Sequence, residues 1–468
     1  MKIFNTLTRS KEPFVPMEKG KVRFYLCGMT VQDRPHLGHM RAYIVGDVIR
    51  RYLEYKGYEI QLIQNFTDID DKIVERARAE STDYRILADR YTSEYMKHAE
   101  ALNIRPATFY PRATQHVKEI IELIEKLRQK GFAYQTSKGV YYEVKKLPQY
   151  GRLSGKRLED VIPGARVEVD QEKRDPSDFA LWKRAKVGEP YWDSPWGHGR
   201  PGWHIECSAM SMHYLGETLD IHGGGEDLIF PHHENEIAQA ESATGKQFVR
   251  YWVHNGLVVL KGEKMSKSTG HFFAIGDILE QYEPNVVRLY LLLTHYRKRI
   301  DYEEKALEEA KQAYERIKNF YHSARQYTPR KAAKKASGEA QFLKFVEDTR
   351  EKFEAAMDDD FNTPLALGSV FELVKSANKL FSLNSRSEMP PVALHTVQKC
   401  FDVLGFHPIL EHSPESTIAS NLIELLLRVR DRLRKEGHYD LSDEIRKELS
   451  EFGVEVEDRP HKASWRFS

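Results

Sequence analysis

The chain has few cysteines, no long apolar run and almost no signal-like character at its start. Its 468 residues include only three cysteines, Cys27, Cys207 and Cys400, and an odd number at such wide spacing does not suit a disulfide framework. No apolar run approaches the length of about 18 residues that a membrane helix needs. Residues 1–5 lead into polar positions rather than an apolar signal core. We therefore expect a cytoplasmic protein without membrane segments, whose thiols stay reduced.

A large excess of charge of either sign is also lacking. Lys and Arg number 71 and Asp and Glu number 70, which gives a formal net charge of +1. This balance excludes a protein that binds nucleic acid through bulk positive charge, so any such contact must use local patches. The 41% hydrophobic and 30% charged shares are typical of a globular chain. The length predicts about three domains rather than one core.

The first half of the chain contains a β-α-β pattern. Apolar residues alternate over 22–26, recur at helical spacing over 40–55, and cluster again over 60–63. Strand, helix and strand in this order predict a parallel sheet with ligands at its carboxyl edge. Two further strands are predicted at 218–222 and 256–260.

The pattern of predicted strands and helices changes along the chain, and it predicts an α/β architecture. We expect a Rossmann-type parallel-sheet domain that is split by an insertion and followed by a helical bundle and a small C-terminal domain. The predicted boundaries are 1–85 and 197–275 for the two halves of the first domain, 86–196 for the insertion, 276–410 for the linker and helical bundle, and 411–468 for the C-terminal domain.

A histidine motif, Pro35-His36-Leu37-Gly38-His39, falls at the predicted turn from the first strand into the first helix. A helix N-terminus offers free N–H groups and partial positive charge, which suit a phosphate. Gly38 would let a nucleotide approach the backbone, and the two imidazoles could stabilise developing charge. A surface histidine pair without a ligand is the alternative, because so short a pattern arises by chance.

A lysine motif, Lys264-Met265-Ser266-Lys267-Ser268-Thr269-Gly270, follows a predicted strand of the second half. Its two lysines and three hydroxyls could embrace a polyphosphate, although a solvated basic loop is the alternative. In this order, the histidine and lysine motifs together resemble the paired ATP motifs of class I aminoacyl-tRNA synthetases.

Four residues could hold a metal ion. Cys27 ends the first predicted strand, Cys207 lies in a Trp- and His-bearing segment, and His232 and Glu236 share one helix face at i and i+4. Two thiolates, an imidazole and a carboxylate are ligands that zinc accepts. On the same helix, His233 should point elsewhere. A buried structural cysteine and a helix-end histidine are the alternatives.

The chain as a whole resembles the cysteinyl-tRNA synthetase family. The segments that carry the resemblance are 4–8, 27–31, 65–72, 201–208, 220–236 and 357–364. The resemblance covers essentially the whole chain, is close in the catalytic half and is much looser after Gly405.

The resemblance implies a role for each motif. It assigns one zinc ion per chain to Cys27, Cys207, His232 and Glu236, where the metal would bind the substrate thiol. It implies that the residues in contact with cysteine are Thr67, Trp203 and His222. It implies catalytic roles for His36, His39, Lys264 and Lys267. ATP would be bound by His36, Gly38, His39, Asp227 and Lys267, with Asp227 on the ribose.

The resemblance also implies a tRNA-reading tail. Arg434, Tyr439, Asp443 and Arg446 match anticodon-reading positions of the family, which usually carries tryptophan where Tyr439 stands. Aromatic, arginine and carboxylate side chains can read unstacked bases. Because the segment after Phe401 is net acidic, a solvated helix face is the alternative.

The predicted function is therefore that of a cysteine–tRNA ligase. It would use ATP with Mg²⁺ to activate L-cysteine as an adenylate and transfer it to the 3′ end of tRNA(Cys), acting as a monomer. Two rivals are a zinc-bearing ligase that joins cysteine to an amino sugar, and a non-catalytic RNA-binding paralogue. The first would lack the anticodon-reading tail, and the second would not need both ATP motifs and four metal ligands.

Overall fold

The computed structural model of the protein describes residues 1–157, 172–260, 262–264, 273–325, 339–382, 389–408, 414–457 and 464–467. The chain divides into two compact units, Met1–His407 and Pro408–Ser468.

In chain order the strands are β1 (Lys2–Asn5), β2 (Ser10–Pro13), β3 (Lys21–Leu26), β4 (Glu59–Gln64), β5 (Ala133–Thr136), β6 (Gly139–Tyr142), β7 (Phe179–Arg184), β8 (Gly199–Pro201), β9 (Leu219–Gly225), β10 (Val249–Asn255), β11 (Val258–Leu260), β12 (Glu263–Lys264), β13 (Ile300–Asp301), β14 (Val454–Glu457) and β15 (Ser464–Phe467). The α-helices are α1 (Leu37–Tyr55), α2 (Asp71–Ala79), α3 (Tyr84–Ala101), α4 (Val117–Gln129), α5 (Trp203–Leu215), α6 (Glu234–Thr244), α7 (Ile275–Leu279), α8 (Pro284–Leu292), α9 (Glu304–Arg325), α10 (Glu339–Asp358), α11 (Thr363–Ser382), α12 (Met389–Leu404), α13 (Pro414–Lys435) and α14 (Tyr439–Glu451).

A four-stranded parallel sheet in the order β10-β9-β3-β4 organises the larger unit. The predicted β-α-β crossover is β3-α1-β4, in which Phe24 pairs with Leu62. On the other side of β3, Phe24 pairs with Ile221 of β9. All four strands run parallel, so their carboxyl ends meet at one edge, as the sequence predicts.

Of the two later strands that the sequence predicts, the one at 218–222 corresponds to β9 of the parallel sheet, and the one at 256–260 corresponds to β11. The strand beside β9 at one edge of the sheet is β10, which was not predicted, whereas β11 joins a separate small sheet with β12 and β13. Strand β10 reads Val-Arg-Tyr-Trp-Val-His-Asn and is buried at all positions but Arg250. Its polar residues interrupt the apolar run that would mark a strand covered on both faces.

The insertion forms an antiparallel sheet of its own, in the order β5-β6-β7-β8. Strand β8 leads directly into α5, and the core of this part contains Trp182 and Trp196 next to Ile205 of α5. In the smaller unit, α13 and α14 pack with the β14-β15 hairpin around Leu427 and Leu449.

Candidate active site and metal centre

The histidine motif lies at the N-terminus of α1, where its two rings cap the helix. His36 is the N-cap residue, and its Nδ1 atom accepts a hydrogen bond from the backbone N–H of His39 at 3.2 Å. The backbone N–H of His36 donates in return to Nδ1 of His39 at 3.4 Å, and the two rings stack with centroids 3.6 Å apart. Because both Nδ1 atoms are acceptors, each neutral ring carries its proton on Nε2 and can donate from that atom.

A cavity of about 250 Å³ opens at the carboxyl edge of the parallel sheet, beside the start of α1. It collects residues that are far apart in sequence, and those predicted to bind ATP, metal or cysteine are Cys27, His36, Gly38, His39, Trp203 and Asp227. Asn255, Leu257 and Val258 complete the wall from the end of β10 into β11. This single cavity therefore brings one metal ligand and the histidine motif within reach of one small molecule.

Glycines in this region are needed for close internal packing. A β-carbon at Gly28 would lie 1.5 Å from the carbonyl oxygen of Asn65, so only glycine fits between the ends of β3 and β4. A β-carbon at Gly224 would lie 2.9 Å from Cδ1 of Leu228 and 3.0 Å from Cε1 of His233. The glycine run before Asp227 thus has a packing reason in addition to the nucleotide contact that the sequence suggests.

Cys27, Cys207, His232 and Glu236 form one buried group, the four-ligand cluster. One ligand atom from each residue lies within 4.8 Å of the others. The Sγ atoms of Cys27 and Cys207 are 3.8 Å apart, and Nε2 of His232 is 3.0 Å from Oε1 of Glu236. Each of the four side chains is at most 5% exposed. The chain therefore places two thiols, an imidazole and a carboxylate around one point.

Burial and mutual contact shift the pKa values in this cluster. The hydrogen bond that Cys27 donates lowers the pKa of Cys207 to about 5, whereas burial raises the pKa of Cys27 well above that of a free thiol. Burial also raises the pKa of Glu236 to about 8. For His232 burial disfavours the imidazolium, but the Cys207 and Glu236 charges outweigh this and raise its pKa to about 10.

His233 also points into the cluster, so the expectation that it would point elsewhere is wrong. Its Nε2 atom lies 3.3 Å from Sγ of Cys27 and 3.8 Å from Oε1 of Glu236. Its Nδ1 atom is 2.7 Å from Nε2 of His254, whose Nδ1 is 2.8 Å from Oγ1 of Thr6. The i, i+3 spacing of His233 and Glu236 was the signal that could have placed both on one face.

The three residues that the resemblance assigns to cysteine surround the same cluster. Trp203 packs against His232 with ring centroids 4.5 Å apart and borders the cavity. His222 is fully buried, with Nε2 at 3.5 Å from Sγ of Cys27, and stacks on Trp252. Thr67 is buried as well, and its hydroxyl donates to Oε2 of Glu206 at 3.0 Å.

Only the first part of the lysine motif falls within the described residues. Lys264 is the last residue of β12 and pairs with Val259 of β11. Val259 directly follows Val258 of the cavity wall, so Lys264 pairs with a strand that borders the cavity. Lys267 lies outside the described residues.

In the smaller unit, the four predicted anticodon-reading residues are all exposed. Arg434 lies at the end of α13, and Tyr439, which is 60% exposed, begins α14. Asp443 and Arg446 follow Tyr439 at i+4 and i+7, so these three share one face of α14.

Three protein families match successive parts of the chain. Residues 13–312 match the family described as tRNA synthetases class I (C) catalytic domain, residues 352–407 match the DALR domain, and residues 421–466 match the Cysteinyl-tRNA ligase anticodon binding domain.

Curated proteins named cysteine–tRNA ligase are similar over the full length. The protein of Thermococcus gammatolerans is 48% identical over 470 residues, covering 100% of this chain and 99% of its own. That of Carboxydothermus hydrogenoformans is 48% identical and covers 100% of both chains. That of Thermotoga maritima is 49% identical and covers 98% of both chains.

A solved structure shares the fold at low sequence identity. Methionyl-tRNA synthetase of Mycobacterium tuberculosis, in complex with methionyl-adenylate, superimposes with a TM-score of 0.63 at 17% identity. The match covers 82% of this chain and 90% of that one. Within the described ranges, none of the helices combines the length and apolar character that crossing a bilayer requires.

Proposed function

Since this chain belongs to the cysteinyl-tRNA synthetase family, we propose that it selects cysteine with a zinc ion held by the four-ligand cluster and activates it beside the histidine motif. The family resemblance and the α/β fold read from the sequence are confirmed. So is the predicted activity: the chain is a class I cysteine–tRNA ligase, which activates L-cysteine with ATP and charges tRNA with it. One observation supports the proposed assignment of residues, namely that Cys27 of the four-ligand cluster and the histidine motif line one cavity.

The donor set of the cluster suits zinc. Two thiolates bound to one tetrahedral zinc at about 2.3 Å would be about 3.8 Å apart, and the sulfurs of Cys27 and Cys207 are 3.8 Å apart. Oε2 of Glu236 is buried without a hydrogen-bond partner in the part of the chain that the structure describes. Bound zinc would supply a soft Lewis acid that prefers the thiol of cysteine to the hydroxyl of serine. An apolar pocket alone would separate such near-isosteres by only about 1–3 kcal/mol.

The chain's own residues would then hold the substrate. Trp203 lies between the cavity and His232 and can cover the amino acid from one side. His222 fixes the far side of the cluster, with its ring held against Trp252. Because the Thr67 hydroxyl is used by Glu206, Thr67 would act on cysteine through its backbone or its methyl group.

The proposed first step is attack by a carboxylate oxygen of cysteine on the α-phosphorus of ATP, with the bond to pyrophosphate breaking. His36 and His39 would donate from Nε2 to the phosphate oxygens, and Asp227 would accept the ribose hydroxyls. Lys264 and Lys267 would offset charge on the departing pyrophosphate, and Mg²⁺ would accompany ATP. The terminal ribose hydroxyl of tRNA(Cys) then attacks the acyl carbon, and AMP leaves.

The exposed face of α14 would read the anticodon. Tyr439 offers an aromatic surface for stacking, while Asp443 and Arg446 can bond to base edges, with Arg434 at the end of α13. In this scheme 1–85 and 197–275 perform catalysis, 86–196 is the connective insertion, 276–410 is the helical part and 411–468 reads tRNA.

We further propose that the enzyme works as a monomer in the cytoplasm. The cluster and the cavity are complete within one chain, so catalysis needs no residue from a second copy. The free thiols of Cys27, Cys207 and Cys400 suit a reducing compartment.

Amino-acid-dependent exchange of pyrophosphate into ATP tests the proposed selection by zinc. Cysteine should support exchange by the zinc-loaded enzyme, and serine should stay at background. Removal of zinc with a chelator should weaken binding of cysteine, and zinc should restore it. Unchanged discrimination against serine in metal-depleted enzyme would contradict the proposal.

A further inference from the structure

Three consecutive aspartates, 358–360, run from the last residue of α10 into the turn before α11, and the proposed function gives them no role. Each one reaches a different part of the catalytic region. Asp358 accepts a hydrogen bond from the hydroxyl of Tyr52 of α1 at 2.7 Å. Asp359 pairs with Lys11 of β2 at 2.8 Å on the surface. Asp360 is fully buried and bonds to two further segments.

The carboxylate of Asp360 is saturated by donors that are distant in sequence. Oδ1 accepts from the backbone N–H of Phe4 at 2.8 Å and from the hydroxyl of Tyr296 at 2.7 Å. Oδ2 accepts from Nε of Arg297 at 2.7 Å. Asp360 and Phe361 both adopt left-handed backbone conformations, with φ of 66° and 52°. Such conformations persist in residues other than glycine only where surrounding contacts hold them.

The segment that Asp360 holds, residues 295–301, also supports the cavity wall and the strands that lead to Lys264. The carbonyl of Tyr296 accepts from the backbone N–H of Gly256 at 2.8 Å. Further along, Ile300 and Asp301 form β13, which pairs in parallel with β11. Strand β11 carries Val258 of the cavity wall and pairs on its other side with β12, where the lysine motif begins.

Arg41 ties the same segment to the histidine motif. It lies two residues after His39 in α1 and is completely buried. Its guanidinium donates to the carbonyls of Gly256 at 2.6 Å and Leu257 at 2.8 Å. It also donates to the carbonyls of His295, Tyr296 and Lys298. One cation therefore holds α1, the cavity wall and segment 295–301 in a fixed relation.

We propose that Asp360 is a positioning residue for adenylate formation. It fixes segment 295–301, and that segment sets the relative position of the histidine motif, through Arg41, and of the backbone of Lys264, through β13, β11 and β12. This inference rests on the proposed ATP site, because it explains how the two motifs of that site are aligned. The zinc cluster lies on other elements, so Asp360 should have little influence on binding of cysteine.

The chemistry explains why a small displacement matters. In-line transfer requires the groups on the phosphates to be aligned, and a misplacement of about 1 Å can cost about 10²-fold in rate. Replacing Asp360 by asparagine keeps the shape but removes the charge and one acceptor, so an amide would face either Arg297 or the Tyr296 and Phe4 donors. Segment 295–301 would then lose part of its anchor.

The test compares Asp360→Asn with Asp359→Asn in cysteine-dependent pyrophosphate exchange by the full-length, zinc-loaded enzyme. The control makes the same substitution one residue earlier, at an exposed carboxylate whose ion pair is with Lys11 of β2 rather than with Arg297. We expect kcat of Asp360→Asn to fall at least about tenfold, with zinc content and the KM for cysteine unchanged. Asp359→Asn should retain wild-type kcat. Tyr296→Phe removes one hydrogen-bond donor to Asp360, so its kcat should also fall, by a smaller factor.

Three outcomes would overturn the inference. One is a folded Asp360→Asn enzyme with the kcat of Asp359→Asn, and another is a loss that appears only in the KM for cysteine or in zinc content. The third outcome applies if Asp360→Asn does not fold. In that case a wild-type kcat of Tyr296→Phe would overturn the inference. Lys267→Ala in the same assay tests the proposed ATP site independently. Wild-type exchange by Lys267→Ala would reject that site, whereas a slow Lys267→Ala with a normal Asp360→Asn would reject only the role of Asp360.

Discussion

The Sγ atoms of Cys27 and Cys207 lie 3.8 Å apart although 180 residues separate them in the chain. Cys27 follows β3 of the first half of the sheet, and Cys207 lies in α5 after the insertion. The pair therefore joins the two halves of the catalytic region at the point where His232 and Glu236 supply the remaining ligands. Cys400 lies in α12 and is not a member of the four-ligand cluster.

Replacing Cys207 should remove the metal. In Cys207→Ala a ligand is lost from a buried site, so we expect loss of bound zinc together with cysteine-dependent exchange. Cys400→Ala is the matched control, because it also removes one buried thiol. It should keep its zinc and its activity, with a stability cost of about 1 kcal/mol. Elemental analysis measures the zinc content and pyrophosphate exchange measures the activity. Equal zinc content in the two variants would contradict the assignment.

Zinc uptake by enzyme that a chelator has stripped should depend on pH. The pKa values of His232 and Glu236 are raised to about 10 and about 8, so both groups hold protons at neutral pH. Zinc must displace those protons, which means that affinity falls as pH falls and rises from about pH 6 to about pH 9. Competition with a chelating dye measures the affinity, and calorimetry in two buffers measures proton release. Affinity independent of pH, without proton release, would argue against these two ligands.

Lys267→Ala should slow adenylate formation. Losing one preorganised charge-stabilising group typically costs about 10²–10³ in rate, and the KM for cysteine should change little because zinc and Trp203 are intact. Lys305→Ala removes an exposed lysine of α9 and serves as control. Exchange kinetics at saturating ATP separate kcat from KM. If the two variants differ by only a few-fold, the lysine motif does not act on the pyrophosphate.

Anticodon reading should depend on one face of α14. Asp443→Ala and Arg446→Ala should each weaken discrimination between tRNA(Cys) and an anticodon-mutated tRNA by about 1–3 kcal/mol. Pyrophosphate exchange without tRNA should remain normal. Glu448→Ala changes an exposed residue on the opposite face of the same helix and should have no effect. Charging of both tRNAs at the parental ratio by all three variants would make Asp443 and Arg446 structural.

Local patterns in the sequence predicted local structure well. The alternation in β3 and the helical spacing in α1 identified the crossover, because side-chain period reflects backbone conformation directly. The same reasoning missed β10, whose His254 and Asn255 are polar although the strand is buried. The expectation for His233 was also wrong, because its i, i+3 spacing to Glu236 brings the two side chains to one face of the helix.

The sequence by itself determined the family, the reaction and the order of the motifs, because short segments along the chain resemble those of cysteinyl-tRNA synthetases. Tertiary structure decided which residues meet. Packing of the parallel sheet brings Cys27 to Cys207 and gathers His222, His233 and His254 behind them. Asp360 and Phe4 are 356 residues apart yet hydrogen-bonded. No periodicity encodes such contacts, because they form only when distant elements bury their apolar faces against each other and their polar groups must find partners.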